Sequence, residues 1–424
     1  MSERRRAVIT GVGVVAPSGV GADAHWKTVL SGESRIDRIS LFDPSPYATT
    51  LAGQVPDFEV ADHVSSKLAV QTDRWTWLGF AAASEALSDA AVDPAGCDPY
   101  SMAVMLASSS GGNLFGQREL QRLWSQPSRT VGAYQSIAWF YAASVGQLSI
   151  QHQIKGPSSV LVSESCGGLD SLAHAARTID RGVSAVLAGG TECPLSPYAL
   201  ACQQRSGWLS TRTDPAQAYR PFDIGANGYV PGEGGAVLLV EDLAHALERD
   251  APHIYAEIAG WGATHDGEHT RRGSAGSVRH YARAMTLALR RAGLRPEDID
   301  VVLPDALGVP AYDTAEAAAL REVFGAAGPA AVTTQKPLVG RLYQGGSALD
   351  AATAALMIRH DVIPPMSGVD RPGDGCDLRF VRTLRPSQVD AVMVNARGFD
   401  GFNSSLVLRR YDPGADLGAA EEEA

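Results

Sequence analysis

The sequence predicts an α/β fold that is built from a duplicated unit. Short apolar runs alternate with segments of helical periodicity along most of the 424 residues, and this alternation is typical of sheets whose faces are covered by helices. Segments in the second part of the chain also resemble segments of the first part in the same order, which indicates a duplication. We therefore expect largely parallel sheets with both faces covered.

The duplication rests on two pairs of matching segments. In the first pair a helix, a turn that contains proline and a short strand follow one another; in the second pair a glycine-rich turn opens a helix. The first pair is Trp77–Ala91, Asp93–Pro94 and Met102–Ala107, matched by Tyr281–Arg291, Leu294–Pro296 and Val301–Leu303; the second is Gly167–Asp180, matched by Gly345–His360. In the first predicted strand, Gly11 and Gly13 indicate that another part of the backbone approaches closely.

Composition excludes several classes of function. The formal net charge is −11 and no basic patch dominates, so nucleic acid is not expected as a ligand. The five cysteines are scattered without a Cys-x-x-Cys pair, so we expect neither disulfides nor a bound metal. With no signal peptide and no apolar run that could span a bilayer, a cytoplasmic protein without a membrane partner is expected. Residues 412–424 are acidic and rich in alanine, and are predicted to be a disordered tail.

One stretch, from Gly156 to Leu172, has the pattern of a strand, a sharp turn and a helix. The apolar run Val160–Val162 after Gly-Pro predicts a buried strand, and the segment from Cys166 to Thr178 predicts a buried helix. The turn therefore falls at Ser165. Such a turn lifts one side chain toward the positive end of a helix dipole, where a nucleophile can be seated.

The order of motifs resembles the β-ketoacyl synthases of the thiolase fold from about residue 6 to 410. The resemblance is carried by Gly168-Leu-Asp170 in the turn, by a Pro-Phe-Asp…Gly-Glu-Gly segment at 221 to 234, and by Gly398-Phe-Asp-Gly401 near the end. It implies a thiolase-like fold, α/β in class, with a duplicated five-layer αβαβα arrangement. The expected domains are an N-terminal half over residues 1–255 and a C-terminal half over residues 256–411.

Enzymes of this family use a cysteine nucleophile and two histidines. Matching the Gly-Leu-Asp motif places Ser165, and not Cys166, at the nucleophile position. The two histidine positions fall at Leu307, in the segment 305–310, and at Arg341, in the segment 336–343. The resemblance thus implies that all three catalytic identities are missing.

The residues at these positions do not support condensation. Serine is a weaker acid than cysteine and needs an adjacent base, whereas Leu307 transfers no proton and Arg341 stays protonated in proteins. Successive helical residues point about 100° apart, so Cys166 should face away from the cavity if Ser165 faces into it. We expect Cys166 to be a small buried core residue.

The retained and lost motifs are similar to those of the chain length factor, or ketosynthase β subunit, of aromatic type II polyketide synthases. The matching segments are Gly167–Asp170, Gly340–Tyr343, Ala396–Gly398 and Gly401–Asn403, together with Glu164. The resemblance implies a non-condensing subunit that pairs with a ketosynthase α subunit, binds the polyketide intermediate and limits its length. It also implies an acyl carrier protein that supplies the phosphopantetheine arm, with no cofactor bound by this chain. Ser165 replaces the usual glutamine, so whether this chain assists the decarboxylation attributed to that glutamine stays open at this point.

The same resemblance places the dimer axis beside the strand Ser158–Val162 and a polyketide tunnel at the subunit interface. Asn113, Gly116 and Leu120 share one face of a predicted helix and match the tunnel wall, and Phe399 is assigned to the tunnel as well. Because this helix face has no aromatic side chain and Gly116 leaves room, we expect a longer tunnel. The alternative is that the face simply packs in the core.

Two other functions stay open at this point. One is an autonomous acyltransferase that uses Ser165 or Cys166 with an unrecognised base, with decarboxylation of malonyl-carrier protein as one such reaction. The other is a homodimeric fatty-acid condensing enzyme, which the missing histidine pair disfavours. On the favoured interpretation the chain is not a condensing enzyme alone but a subunit of a β-ketoacyl synthase complex.

Overall fold

The computed structural model describes residues 5–128, 130–267 and 275–413. From residue 414 onward the predicted acidic tail lies outside the described residues. Within the described ranges, no helix combines the length and apolar character needed to cross a membrane.

The strands and helices follow one another along the whole described chain. The strands are β1 (Ala7–Ala16), β2 (Gly19–Val20), β3 (Ile36–Arg38), β4 (Leu51–Gly53), β5 (Met102–Ala107), β6 (Ser158–Leu161), β7 (Ala185–Glu192), β8 (Gly234–Asp242), β9 (Ala256–His265), β10 (Val301–Leu303), β11 (Val362–Ile363), β12 (Arg385–Pro386), β13 (Ala391–Arg397) and β14 (Phe402–Arg409). The helices are α1 (Ala22–Ser31), α2 (Val60–His63), α3 (Ser66–Ala69), α4 (Arg74–Asp89), α5 (Asn113–Ser125), α6 (Gln135–Ala138), α7 (Ala143–Gln151), α8 (Gly167–Asp180), α9 (Pro197–Gln204), α10 (Pro215–Ala218), α11 (Leu243–Glu248), α12 (Val278–Ala292), α13 (Pro310–Phe324), α14 (Lys336–Val339) and α15 (Gln344–His360). Short 3₁₀ turns lie at Pro94–Gly96, Glu164–Cys166, Pro296–Asp298 and Phe399–Gly401.

Most strands belong to one continuous sheet with the order β10-β13-β14-β9-β1-β8-β7-β5-β6, and β2 pairs with β1. β5 is parallel to β6 and β7, and β10 is parallel to β13. All the other neighbouring pairs along this order are antiparallel. The prediction of largely parallel sheets is therefore wrong. Strands covered on both faces are continuous apolar runs, and such a run does not indicate the direction of its neighbour.

The sheet consists of two groups of strands that meet at one narrow junction. β1 and β9 pair only through Val8 with Glu257 and Ile9 with Ala256. α4 and α7 cover the outer face of the β1 group, α12 covers the outer face of the β9 group with α13 beside it, and α8 and α15 lie between the two groups. This is the predicted five-layer αβαβα arrangement. The division into domains at residues 255 and 256 stays a prediction.

The predicted duplication is present in three dimensions. α4, the 3₁₀ turn at Pro94–Gly96 and β5 follow one another as do α12, the 3₁₀ turn at Pro296–Asp298 and β10. The second predicted pair corresponds to α8 and α15, which pack against each other in the middle layer. Every residue of α15 from Gln344 to Ile358 is buried, as expected for a helix with sheets on both sides.

In each half of the chain, the outer helix packs directly against glycines of a central strand. A Cβ on Gly13 of β1 would lie 1.8 Å from the Ala82 carbonyl oxygen of α4, and a Cβ on Gly262 of β9 would lie 2.1 Å from the Ala284 oxygen of α12. The close approach expected for the first strand is therefore real and occurs twice. Only glycine permits this distance between strand and helix backbones.

Gly13→Ala should destabilise the chain by roughly 3 kcal/mol, the upper end of the cost of overpacking a core, because the new methyl group meets a backbone carbonyl that cannot rotate away. Thermal unfolding of the purified chain measures the effect. Gly146→Ala in α7 is the matched control, since nothing lies within 4 Å of its added Cβ, and alanine there should raise stability by about 0.5–1 kcal/mol. Equal effects of the two substitutions would contradict the packing described here.

Candidate functional site

The predicted turn between strand and helix joins β6 to α8. β6 ends at Leu161, a 3₁₀ turn spans Glu164–Cys166, and α8 begins at Gly167. The residue in the left-handed backbone region is Glu164, with φ of 49°. Such a conformation is uncommon for a residue other than glycine, and it occurs most often at functional sites. The turn thus presents Glu164 to the adjacent cavity, one residue before the predicted nucleophile position.

Ser165 itself is buried, with 4% of its surface exposed, and it is not among the residues that line the cavity. Its Oγ makes no hydrogen bond of normal geometry with any described residue, although its amide and hydroxyl lie close enough to the Glu164 carboxyl to lower the pKa of that group. No imidazole or thiolate is therefore placed to take the Ser165 proton. Without such a base the serine hydroxyl is a poor nucleophile.

Cys166 is a core residue, as expected. It is 1% exposed, and its Sγ donates to the Ala396 carbonyl oxygen at 3.2 Å. Burial raises the pKa of the Cys166 thiol well above its usual range, and the nearby carboxylates of Asp170 and Asp305 raise it further. The thiolate, which is the reactive form, is therefore absent at neutral pH.

Leu307, which the resemblance assigns to the first histidine position, is 6% exposed and borders the cavity. It belongs to the same apolar cluster as Tyr219 and Tyr229. The preceding residue, Ala306, has φ of 52°, so the loop keeps a tight bend. A hydrocarbon side chain at this point contributes packing and no proton transfer.

Arg341, which the resemblance assigns to the second histidine position, forms a buried ion pair with Asp305. Its Nη2 and Nη1 donate to the two carboxylate oxygens of Asp305 at 3.0 and 3.2 Å, and Nη2 also donates to the Arg397 carbonyl at 2.9 Å. Although burial lowers the pKa of the Arg341 guanidinium, the carboxylates of Asp305 and Glu164 raise it well above the ordinary value. A group that holds its proton this firmly cannot act as a general acid or base.

The Glu164 carboxylate is held at the cavity wall by the turn at residues 398–401. Its Oε2 accepts a hydrogen bond from the Phe399 amide at 2.9 Å. Burial raises the pKa of the Glu164 carboxyl, while the Arg341 guanidinium and the Phe399 amide oppose that effect. The turn at 398–401 is thereby tied to the start of α8.

These groups surround a cavity of about 530 Å³. Of the residues predicted from the sequence, the structure brings together Leu307, Arg341 and Phe399 at its walls. The residues of the wall that the sequence interpretation missed include Glu164, Trp208, Tyr229 and Tyr343. Tyr343 could have been found, because it ends the Gly-Arg-Leu-Tyr segment. The positions of the other three follow from tertiary packing alone.

Asn113, Gly116 and Leu120 do not border this cavity. Gly116 is buried, and a Cβ placed on it would lie 3.1 Å from Cδ1 of Trp139. The expectation that Gly116 leaves open space on an aromatic-free face is therefore wrong for the chain by itself. The aromatic ring comes from the segment after α6, which an analysis of the helix alone cannot show. That these residues line a tunnel stays a prediction.

Among the described residues, no group of three or more His, Cys, Asp and Glu side chains is arranged to hold a metal ion.

Comparison with known proteins supports the family resemblance over the whole chain. The sequence matches the N-terminal domain of β-ketoacyl synthases over residues 4–246 and the C-terminal domain over residues 255–370. Among solved structures, the ishigamide ketosynthase/chain length factor superimposes with a TM-score of 0.89 at 28% sequence identity, covering 97% of this chain and 100% of that one.

Two curated relatives are more similar in sequence. The tetracenomycin polyketide synthase ketoacyl synthase beta subunit of Streptomyces glaucescens is 48% identical, over 97% of this chain and 100% of that protein. The actinorhodin polyketide putative beta-ketoacyl synthase 2 of Streptomyces coelicolor is 47% identical, over 96% of this chain and 99% of that protein. The chain belongs to the β-ketoacyl synthase family, in its branch of type II polyketide ketosynthase β subunits, or chain length factors.

Proposed function

We propose that this chain is the non-condensing subunit of a heterodimeric type II polyketide ketosynthase, in which it shapes the polyketide tunnel and limits chain length. The proposal rests on a cavity that is enclosed like an active site but has, among the described residues, no cysteine or histidine side chain placed to catalyse condensation. Leu307 and the Arg341–Asp305 ion pair lie at this cavity, and the family resemblance assigns Leu307 and Arg341 to the two histidine positions. The condensing cysteine must then belong to a partner, which is a ketosynthase α subunit.

One segment of the chain, residues 120–162, has the character of a partner surface. The described residues expose sixteen large apolar or aromatic side chains, and eight of these lie between residues 120 and 162. The eight are Leu120, Trp124, Val131, Tyr134, Trp139, Phe140, Ile150 and Val162. Clustered exposed apolar and aromatic side chains mark protein interfaces. We call these eight residues the apolar face.

The edge of the sheet lies in the same region. Among the strands of the described residues, β6 is the last of the order and pairs with β5 alone, so its other side is open to pairing with a second sheet. Val162, directly after β6, is 52% exposed. Both features support a subunit interface that runs along β6, where the family resemblance places the dimer axis.

The remaining parts of the assembly follow from the same proposal. An acyl carrier protein would deliver the extender unit on its phosphopantetheine arm, and this chain would bind no cofactor of its own. We place the complex in the cytoplasm. All five cysteines are free, which is the usual state in a reducing compartment.

The first test concerns the partner surface. Replacing Phe140 and Val162 together by aspartate should raise the dissociation constant of the complex with a ketosynthase α subunit at least tenfold, because two charges would be buried in an apolar interface. Co-purification and sedimentation analysis of the mixed subunits measure association. The matched control replaces Val70 and Leu384, which are 60% and 47% exposed, by aspartate. Loss of the partner in both double variants, or in neither, would contradict an interface at the apolar face.

The second test separates this proposal from an autonomous acyltransferase. The purified chain, incubated with malonyl- and acyl-carrier protein, should form no acyl adduct and release no carbon dioxide, because no imidazole of the described residues is placed to activate Ser165 and the Cys166 thiol keeps its proton. Intact-protein mass spectrometry and a carbon dioxide assay check this. A stable adduct on the natural chain that disappears in the Ser165→Ala or Cys166→Ala variant would establish the rival function.

The third test concerns chain length. Trp139→Ala should free the space over Gly116 and lengthen the product of the assembled complex, whereas Gly116→Trp should shorten it, since a second indole must fit where Trp139 already packs. Mass spectrometry of the released polyketides gives the length. Tyr100→Ala, which removes a 68% exposed aromatic side chain elsewhere, serves as control. If the product length were unchanged in both variants, Gly116 and Trp139 would not limit chain length.

A further inference from the structure

The cavity beside Glu164 has aromatic and apolar walls that no step of the proposed function uses. The Trp208 ring lies edge-on against Tyr312, with ring centroids 4.9 Å apart, and 5.4 Å from the Phe399 ring. Leu307 and Tyr229 complete these walls. The volume of about 530 Å³ falls within the range of small-molecule sites, roughly 300–1,000 Å³. Walls of this kind favour a flat ring system.

The charged groups Arg341, Asp305, Arg397, Asp266 and Glu164 of the cavity wall are engaged with one another or with the backbone, whereas Arg205, which also borders the cavity, is exposed. Arg341 pairs with Asp305 at 3.0 Å, Arg397 pairs with Asp266 at 3.4 Å, and Glu164 accepts the Phe399 amide. A charged ligand would lose its hydration without meeting an unpaired opposite charge in the interior, which is unfavourable. The buried part of the cavity therefore favours a molecule without charge.

Two tyrosine hydroxyls supply a directed polar contact. The hydroxyls of Tyr229 and Tyr343 lie 2.9 Å apart and make no other hydrogen bond among the described residues. Burial raises the pKa of Tyr229 to about 12 and that of Tyr343 well above its ordinary value, so both keep their protons at neutral pH. One proton serves the bond between them and the second is left to donate. Its natural acceptor is a carbonyl oxygen of a ligand.

We infer that this cavity is a binding site for a neutral polycyclic aromatic ketone of three or four fused rings, packed against the Trp208–Phe399 ring pair with its carbonyl oxygen on the Tyr229–Tyr343 pair. The inference rests on the proposed function, because only a subunit without condensing chemistry leaves the cavity free for such a ligand. Cyclised aromatic polyketides belong to this chemical class. Through this site the subunit senses a finished product rather than a growing chain.

The experiment uses the full chain and three matched probes. Fluorenone carries the carbonyl acceptor, fluorene has the same rings without it, and fluorenone-2-carboxylate adds a negative charge. Calorimetric titration should show fluorenone binding about fivefold more tightly than fluorene, the value of one neutral hydrogen bond. The carboxylate should bind more weakly than fluorenone.

The decisive variant replaces both Tyr229 and Tyr343 by phenylalanine. Removing both partners of a buried hydrogen bond leaves no unsatisfied group and is close to neutral for stability, so the variant should fold. It should bind fluorenone only as tightly as fluorene, with fluorene affinity unchanged. Tyr100→Phe, at an exposed tyrosine, should change neither affinity. Trp208→Ala should weaken both probes, because it removes a wall of the cavity.

Three outcomes would overturn the inference: equal affinity for fluorenone and fluorene, no effect of the double variant, or tighter binding of the carboxylate. The last would assign recognition to Arg205, an exposed side chain that also borders the cavity. Because titration needs neither the partner nor turnover, failure here with association intact removes only the ligand site. Loss of partner binding or acylation of the chain would instead remove the proposed function.

Discussion

Two helices, α8 and α15, share the middle layer between the two groups of strands, and their close packing determines where everything else lies. A Cβ on Gly168 at the start of α8 would fall 2.4 Å from the Ala348 amide nitrogen in α15, so the helices meet at backbone distance. The turn at Glu164 precedes α8, and Arg341 precedes α15. The packing therefore brings the former catalytic positions together. Their arrangement is a property of the core, and it persists when the chemistry is lost.

The Arg341–Asp305 pair shows what replaced that chemistry. Asp305 follows β10, Arg341 lies before α15, and the carbonyl that completes the contact belongs to Arg397 at the end of β13. The pair thus joins three segments at the floor of the cavity. Removing one partner of such a buried pair typically costs about 3–5 kcal/mol. At a position where the family resemblance predicts a histidine, this chain carries a structural link.

The sequence predicted those features that local pattern encodes. The helix, turn and strand repeat was recognised because its turns contain proline at matching places, and the turn near Ser165 because small residues separate an apolar run from a helical one. The prediction of parallel strands was wrong, because an apolar run has the same pattern in a parallel and in an antiparallel strand. The left-handed conformation of Glu164 was missed, because a glutamate in a turn gives no sign of its backbone angle.

Long-range packing accounts for the remaining error. Gly116 was expected to leave space, and Trp139, more than twenty residues later, fills it. The periodicity of one helix describes which residues share a face but not which side chain of another segment covers that face. Burial of Cys166 was predicted correctly, because successive helical residues point in different directions whatever lies around them.

The apolar face and the free side of β6 have a consequence for how the protein must be produced. A newly made copy that meets no ketosynthase α subunit exposes both the apolar face and an open sheet edge. Both features promote self-association of proteins. Surplus copies would be drawn into aggregates or removed by chaperones and proteases. The two subunits must therefore be made in similar amounts, so that each copy of this chain finds a ketosynthase α subunit that covers its apolar face and the open side of β6.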